Sequence, residues 1–191
     1  MQITNLIGGC MNNGDSNNGF VVWLTGLPGT GKSTISAELE KIFQEKGFCT
    51  ETMDGDEIRK GLSADLGFTK EDRQEHARRV AFVSKLLARN GVAVNVALIS
   101  PYRSFREHAR NEIENFVEVY VKTPLEVCME RDPKGLYAKA QQGEITDLTG
   151  YQDTYEEPLN PEVVIDTCDT TPEGAAKTIV SKLEDLGYLS N

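Results

Sequence analysis

From Phe20 onward, short apolar runs alternate with longer stretches in which apolar positions recur every three or four residues. The runs "FVVWLT", "CTETMD", "VAVNVALI", "VEVYVKT" and "EVVID" have strand length and are rich in β-branched and aromatic residues, and helical spacing fills the intervals. This alternation predicts an α/β sandwich of three layers, a mostly parallel sheet flanked by helices. Helix starts are marked by chemistry as well as by period. Thr69 with Asp72 forms a cap, after which Ala77, Val80, Ala81, Ser84, Leu87 and Ala88 keep helical spacing up to Gly91. In "TPLE" Thr123 stands as the cap and Pro124 as the first helical residue, and Thr171 before Pro172 repeats the signal.

Two stretches lack any period. Residues 8 to 19, "GGCMNNGDSNNG", predict a flexible tail over 1–19, which leaves 20–191 as a single domain. From Asp132 to about Pro161 the chain is polar, with glycines and tyrosines. An irregular segment of that length inside a compact domain predicts a mobile lid over 132–161.

Composition narrows the function. The net charge of -10 argues against general binding to nucleic acid or to an anionic membrane. Cations outnumber carboxylates between residues 55 and 110, so an anionic ligand is expected there. Cys10, Cys49, Cys128 and Cys168 are scattered, which suggests neither a zinc site nor a disulfide framework and points to a reducing cytoplasm. No segment is long and apolar enough to span a membrane.

The strongest chemical signal is "GLPGTGKST", which follows a predicted strand and opens a predicted helix. Gly26, Gly29, Gly31, Lys32 and Ser33 fit the phosphate-loop pattern, with Leu27, Pro28, Thr30 and Thr34 completing the nucleotide cradle. Glycines let backbone N–H groups wrap phosphates, and the helix N-terminus adds its dipole. Lys32 is expected on the β- and γ-phosphates of ATP and Ser33 on magnesium. The fold expected is thus of the P-loop NTPase type.

"MDGDEIRKGL" sets Asp54 and Asp56 about one glycine at the end of the second predicted strand, where ligands gather in open α/β sheets. One carboxylate can face a metal and the other a nucleophile, while Arg59 and Lys60 could hold an anion. The strand "VAVNVALI" runs into Ser100 and Pro101 instead of the magnesium-holding aspartate of a switch or motor. Arg59 and Arg73 suit a phosphate or sulfate, whereas Arg78, Arg106 and Arg110 read as solvated. His76 and His108 read as helix-surface residues, Trp23 as core, and Cys128 and Cys168 as small buried hydrophobes.

From about Val21 to Asp166 the chain strongly resembles the adenylylsulfate kinases, which phosphorylate the 3′-hydroxyl of adenosine 5′-phosphosulfate. The resemblance is carried by "GLPGTGKST", "DGDEIRKGL", "LGFTKEDR", "ISPYR", "PLEVCMERDPKGLY" and "NPEVV" in one order. It implies ATP and Mg2+ as the donor system; in the mechanism expected from the DGD spacing Asp56 accepts the proton of the 3′-hydroxyl and Asp54 orders the magnesium waters. It also implies that Asp56, Arg59, Phe68, Arg73, Ile99, Ser100 and Lys134 contact the sulfonucleotide, with Phe68 stacked on adenine, and that Arg131 lies on the ATP side. Ser100 matches a serine assigned in the family as a phosphoserine intermediate. Homodimers are usual in the family, and functional coupling to ATP sulfurylase is a further implication.

The chain departs from the family pattern at Pro28 and Thr30 in the phosphate loop, at His76, where asparagine is usual, and at Leu148, where phenylalanine is usual. His76 and Leu148 fall on the acceptor side. Tyr151, three residues past Leu148, either supplies the missing ring or packs the lid hinge. The alternatives are a kinase of another sulfo- or phospho-nucleotide and a silent nucleotide-binding module that regulates a sulfate-activating partner.

Overall fold

This computed structural model describes residues 19–189, and its first apolar run becomes strand β1 (Phe20–Thr25). Strand alternation sends Phe20, Val22 and Leu24 to one face and Val21 and Trp23 to the other, and each set anchors a separate core. On the first face α1 (Lys32–Glu45) and α7 (Pro172–Asp185) bury Ile35, Leu39, Phe43, Ile179 and Leu183. On the second, α3 (Lys70–Ala88) and α4 (Arg103–Glu112) bury Val80, Ala81, Ala88 and Ala109. Apolar residues on both faces of β1 are what make the sandwich three layers thick.

The other strands are β2 (Cys49–Asp54), β3 (Val92–Ala97), β4 (Phe116–Lys122) and β5 (Val163–Asp166). Their order is β2-β3-β1-β4-β5 and every pairing is parallel. All five expected strands are present, trimmed or extended by a residue or two. Because the strands run one way, Thr25, Asp54, Ala97, Lys122 and Asp166 all end on the same side of the sheet.

Two of the expected caps are present. The Thr69 side chain accepts from the Asp72 N–H at 3.1 Å, and that of Thr171 accepts from the Gly174 N–H at 3.1 Å, ahead of α7 with Pro172 in its first turn. The third is displaced by one residue. Pro124 caps α5 (Leu125–Arg131), and the Thr123 hydroxyl instead pairs with that of Thr167 at 2.6 Å, tying the ends of β4 and β5 together.

Short helices α2 (Gly55–Lys60) and α6 (Leu136–Gln141) complete the set among the described residues. The second lies inside the stretch 132–161 read as irregular, and it brings a small core of its own: Cys128, Tyr137, Ala140 and Leu148. Tyr137 Oη donates to the Pro28 carbonyl at 3.0 Å, so this stretch is seated on the phosphate loop. The expected tail lies outside the described residues except for Gly19. Cys128, expected to be buried, is a buried free thiol. Cys168, expected to be buried, is an exposed free thiol on the turn after β5. Among the described residues no helix is long and apolar enough to cross a membrane.

Candidate active site

A cleft of about 950 Å³ opens at the carboxyl ends of the strands and is lined from Pro28 to Ile35, along the DGD turn, and by Phe68, Arg73, His76, Ser100, Arg131, Lys134 and Leu148. Gly26 and Leu27 are the members of the expected cradle that do not line it, and they act from behind. Gly26 is obligatory: its φ is +154°, and a Cβ there would sit 2.4 Å from the Val121 carbonyl oxygen. The loop then enters α1 through Gly31, a left-handed N-cap without a side-chain cap bond. The first N–H groups of the helix are thereby left to meet an anion.

The Lys32 ammonium donates to the carbonyls of Gly26 at 2.8 Å and Leu27 at 2.7 Å and to Thr30 Oγ1 at 3.3 Å. Burial lowers its pKa to about 8, against the opposing pull of Asp54 and Asp56. Ser33 Oγ donates to Asp54 Oδ2 at 2.6 Å. The other oxygen of Asp54 accepts the Asp56 N–H at 3.0 Å, so this carboxylate caps α2 and also faces the phosphate loop. Asp56 is ion-paired with Lys134 from the stretch after α5. Lys60, by contrast, pairs with Glu57 on the surface at 2.6 Å and does not line the cleft, so it is no anion ligand here.

The opposite wall is built around Phe68, which is 60% exposed. The guanidinium carbons of Arg59 and Arg73 lie 4.5 Å and 5.6 Å from its ring centroid. Arg73 Nε donates to the Phe68 carbonyl at 2.8 Å, while Nη2 reaches the Asp147 carbonyl at 2.7 Å and Nη1 reaches Thr149 Oγ1 at 3.1 Å. This one side chain therefore joins the Phe68 wall to the segment 147–149. Leu148 is buried and lines the cleft, whereas Tyr151 is 41% exposed and turns its ring edge to Tyr137, centroids 6.4 Å apart. Tyr151 packs against Tyr137 of α6, and its ring does not line the cleft.

His76 is not a surface residue: it is 6% exposed, lines the cleft and bonds through Nδ1 to Ser63 Oγ at 3.0 Å. His108 is exposed as expected. Burial, helped by Arg59 and Arg79, pushes the His76 pKa down to about 4. An unfolded chain, with an ordinary histidine near 6.5, binds more protons over that interval, so stability is lost as pH falls from 6.5 towards 4. The loss contributed by this residue is about 3 kcal/mol. His76→Asn is expected to flatten the pH dependence of urea-unfolding free energy in that window. An unchanged slope would assign the titration to other groups.

Ser100 is the junction of the site. It is a non-glycine residue with φ +38°, a conformation that costs on the order of 1–3 kcal/mol and must be imposed by its surroundings. Its Oγ accepts from Trp23 Nε1 at 3.0 Å, so Trp23 is core, as expected, and also a support for the site. Two participants were missed in the sequence. Thr25 Oγ1 donates to the Ile99 carbonyl at 2.7 Å and lies 3.0 Å from Tyr155 Oη, which links the end of β1 to the segment after β3 and to the stretch around Tyr155. The buried indole, which needs an acceptor, was the available signal for Trp23; nothing marked Thr25 or Tyr155.

Two arginines expected to be solvated are not. Arg106 is 2% exposed and paired with Glu118, and Arg110 is half-buried and bound to Glu162 and Glu118. Helical spacing put them on an outer face, but β4 and the segment 156–162 cover it. Arg78 is exposed and paired with Glu75 on its own helix. Arg131 holds the hydroxyl and carbonyl of Thr167, both at 2.9 Å, and lines the cleft along with Thr170.

Comparison with known proteins points the same way. The family model described as adenylylsulphate kinase matches residues 18–166. A probable adenylyl-sulfate kinase of Pyrococcus abyssi is 54% identical over 171 residues, covering 90% of this chain and 98% of the relative. An adenylyl-sulfate kinase of Rippkaea orientalis is 53% identical over 172 residues, covering 90% and 95%. The structure of a Mycobacterium tuberculosis APS kinase in complex with AMPPNP and APS superposes with a TM-score of 0.84 at 44% identity, covering 87% of this chain and 98% of that one.

Proposed function

The chain belongs to the adenylylsulphate kinase family, and from that premise we propose how its residues share the transfer of the γ-phosphoryl group of ATP to the 3′-hydroxyl of adenosine 5′-phosphosulfate. The enzyme is an ATP-dependent phosphotransferase of sulfate assimilation, and its products are 3′-phosphoadenosine 5′-phosphosulfate and ADP. The triphosphate lies along the loop that ends at Thr34, with Lys32 neutralising the β- and γ-phosphates. Ser33 and Asp54, two oxygen donors in contact at 2.6 Å, fit Mg2+, a hard ion usually held by one or two protein groups and the substrate phosphates. Bound there, the ion would neutralise charge developing between the β- and γ-phosphates.

Asp56 takes the proton of the 3′-hydroxyl as its oxygen forms a bond to the γ-phosphorus, and the bond from that phosphorus to the oxygen bridging to the β-phosphate breaks in line. Transfer is direct. Ser100 orients the acceptor and carries no phosphoryl group, since a phosphate loop that presents the γ-phosphate directly to the 3′-hydroxyl needs no relay. Arg59, Phe68 and Arg73 hold the sulfonucleotide, and His76 and Leu148 face the same wall. Lys134 passes from Asp56 to the incoming anion. Residues 20–191 act as one kinase domain in which 132–161 is the lid, working as a cytoplasmic homodimer.

The observation that carries this reading is a phosphate loop, a DGD turn and an arginine-framed aromatic wall opening on one cleft. Coupled ADP release with adenosine 5′-phosphosulfate, AMP and CMP as acceptors tests it. Turnover is expected with the first at micromolar concentration. Equal or faster turnover with AMP or CMP would assign the acceptor site to another nucleotide.

A further inference from the structure

Arg106 does not line the cleft, yet each nitrogen of its guanidinium is engaged. Nε donates to Glu118 Oε1 at 2.7 Å, Nη1 to the Ser100 carbonyl at 2.6 Å and Nη2 to the Glu156 carbonyl at 2.6 Å. The guanidinium carbon lies 5.8 Å from the centroid of the Tyr155 ring. Around this fork the β3–α4 turn and the return limb of the lid are laced together: the Glu156 N–H donates to the Pro101 carbonyl and the Arg103 N–H to Glu156 Oε2, both at 2.8 Å. A charged fork with three separate acceptors fixes the orientation of each, which a point charge cannot do.

We infer that Arg106 is a positioning residue for phosphoryl transfer: it holds the Ser100 carbonyl, and with it the left-handed backbone of Ser100, in register with the return limb of the lid. Glu118 sets the orientation of the fork, and Arg110, bound to the other oxygen of Glu118 and to Glu162, fixes Glu118 in turn. The inference rests on Ser100 being an acceptor-side residue. Arg106 touches no substrate, and its contribution is felt through Ser100 and the segment around Tyr155.

A buried ion pair with a purely architectural role can be replaced by apolar residues with little loss of stability, whereas removing one partner is damaging. The test therefore compares Arg106→Met/Glu118→Met with Arg106→Lys, which keeps the charge and loses the fork. Three quantities are measured: melting temperature, forward kinetics varying each substrate separately, and hydrogen exchange at the Glu156 amide. The double variant is expected to melt moderately below wild type, because two carbonyls lose their donor, to exchange faster at Glu156, and to show an acceptor KM raised about tenfold, the loss of one charge-assisted hydrogen bond. Its KM for ATP should stay within roughly twofold of wild type. Arg106→Lys should show the same acceptor defect, and it carries the test if the double variant melts far below wild type.

Recovery of both stability and acceptor KM in the double variant would make the pair purely architectural and overturn the inference. So would equal damage to both substrates, or a normal acceptor KM in Arg106→Lys. Failure of the wild-type enzyme to use adenosine 5′-phosphosulfate would overturn the acceptor reading instead, while exchange at Glu156 still decides whether Arg106 holds the two segments together.

Discussion

Lys32→Ala is expected to lower kcat/KM for ATP by at least about 10²–10³-fold, the usual loss when one preorganised charge is removed from a transferring phosphoryl group. The melting temperature should change little, because the ammonium packs against the loop and no apolar core is emptied. Its lowered pKa adds a signature that truncation alone lacks. With the group near 8 in the free enzyme, kcat/KM for ATP should decline above that pH as the cation is lost. Stability moves the other way: from about 8 to the ordinary lysine value of 10.5 the unfolded chain binds more protons, so this residue's penalty fades as pH rises. A profile flat up to pH 9.5 with a fully active alanine variant would place the donor phosphates elsewhere.

Asp56→Asn is expected to bind both nucleotides and to lose about 10²–10⁴-fold in kcat, the contribution of a general base. Asparagine keeps the shape and cannot take the proton. Since Lys134 loses its ionic partner in this variant, a modest gain in acceptor affinity should accompany the loss. Pre-steady-state ADP formation separates chemistry from binding. A rise in the KM for ATP with kcat unchanged would make Asp56 a binding residue and leave the base unassigned.

The strands and the phosphate loop were legible because each is written in local sequence: a two-residue alternation, a glycine where only glycine fits, a cap three residues before its partner. The DGD turn was legible for the same reason. His76 and Arg106 were misread because their burial is decided by distant segments, Ser63 for the one and Glu118 with Glu156 for the other. A histidine or arginine on a helix has the same local spacing whether the next layer covers it or not. Tyr151 was left open for a related reason, and only the short helix α6, unmarked in the sequence, supplied the ring against which it packs.

The strand order has a consequence for how the enzyme is made. Among the described residues β1 is the first strand in chain order, yet it lies at the centre of the sheet and pairs with β3 and β4, with Val21 opposite both Val94 and Phe116. Gly26, which follows it, is packed against the Val121 carbonyl. In the nascent chain β1, apolar except for Thr25, therefore stays unpaired until about seventy further residues supply β3 and is enclosed only when β4 follows, and closing so long a loop is slow in forming a parallel sheet. The phosphate loop therefore takes its final shape only once β4 is in place, and until β3 pairs with it the run from Phe20 to Leu24 is an exposed apolar segment open to misassociation.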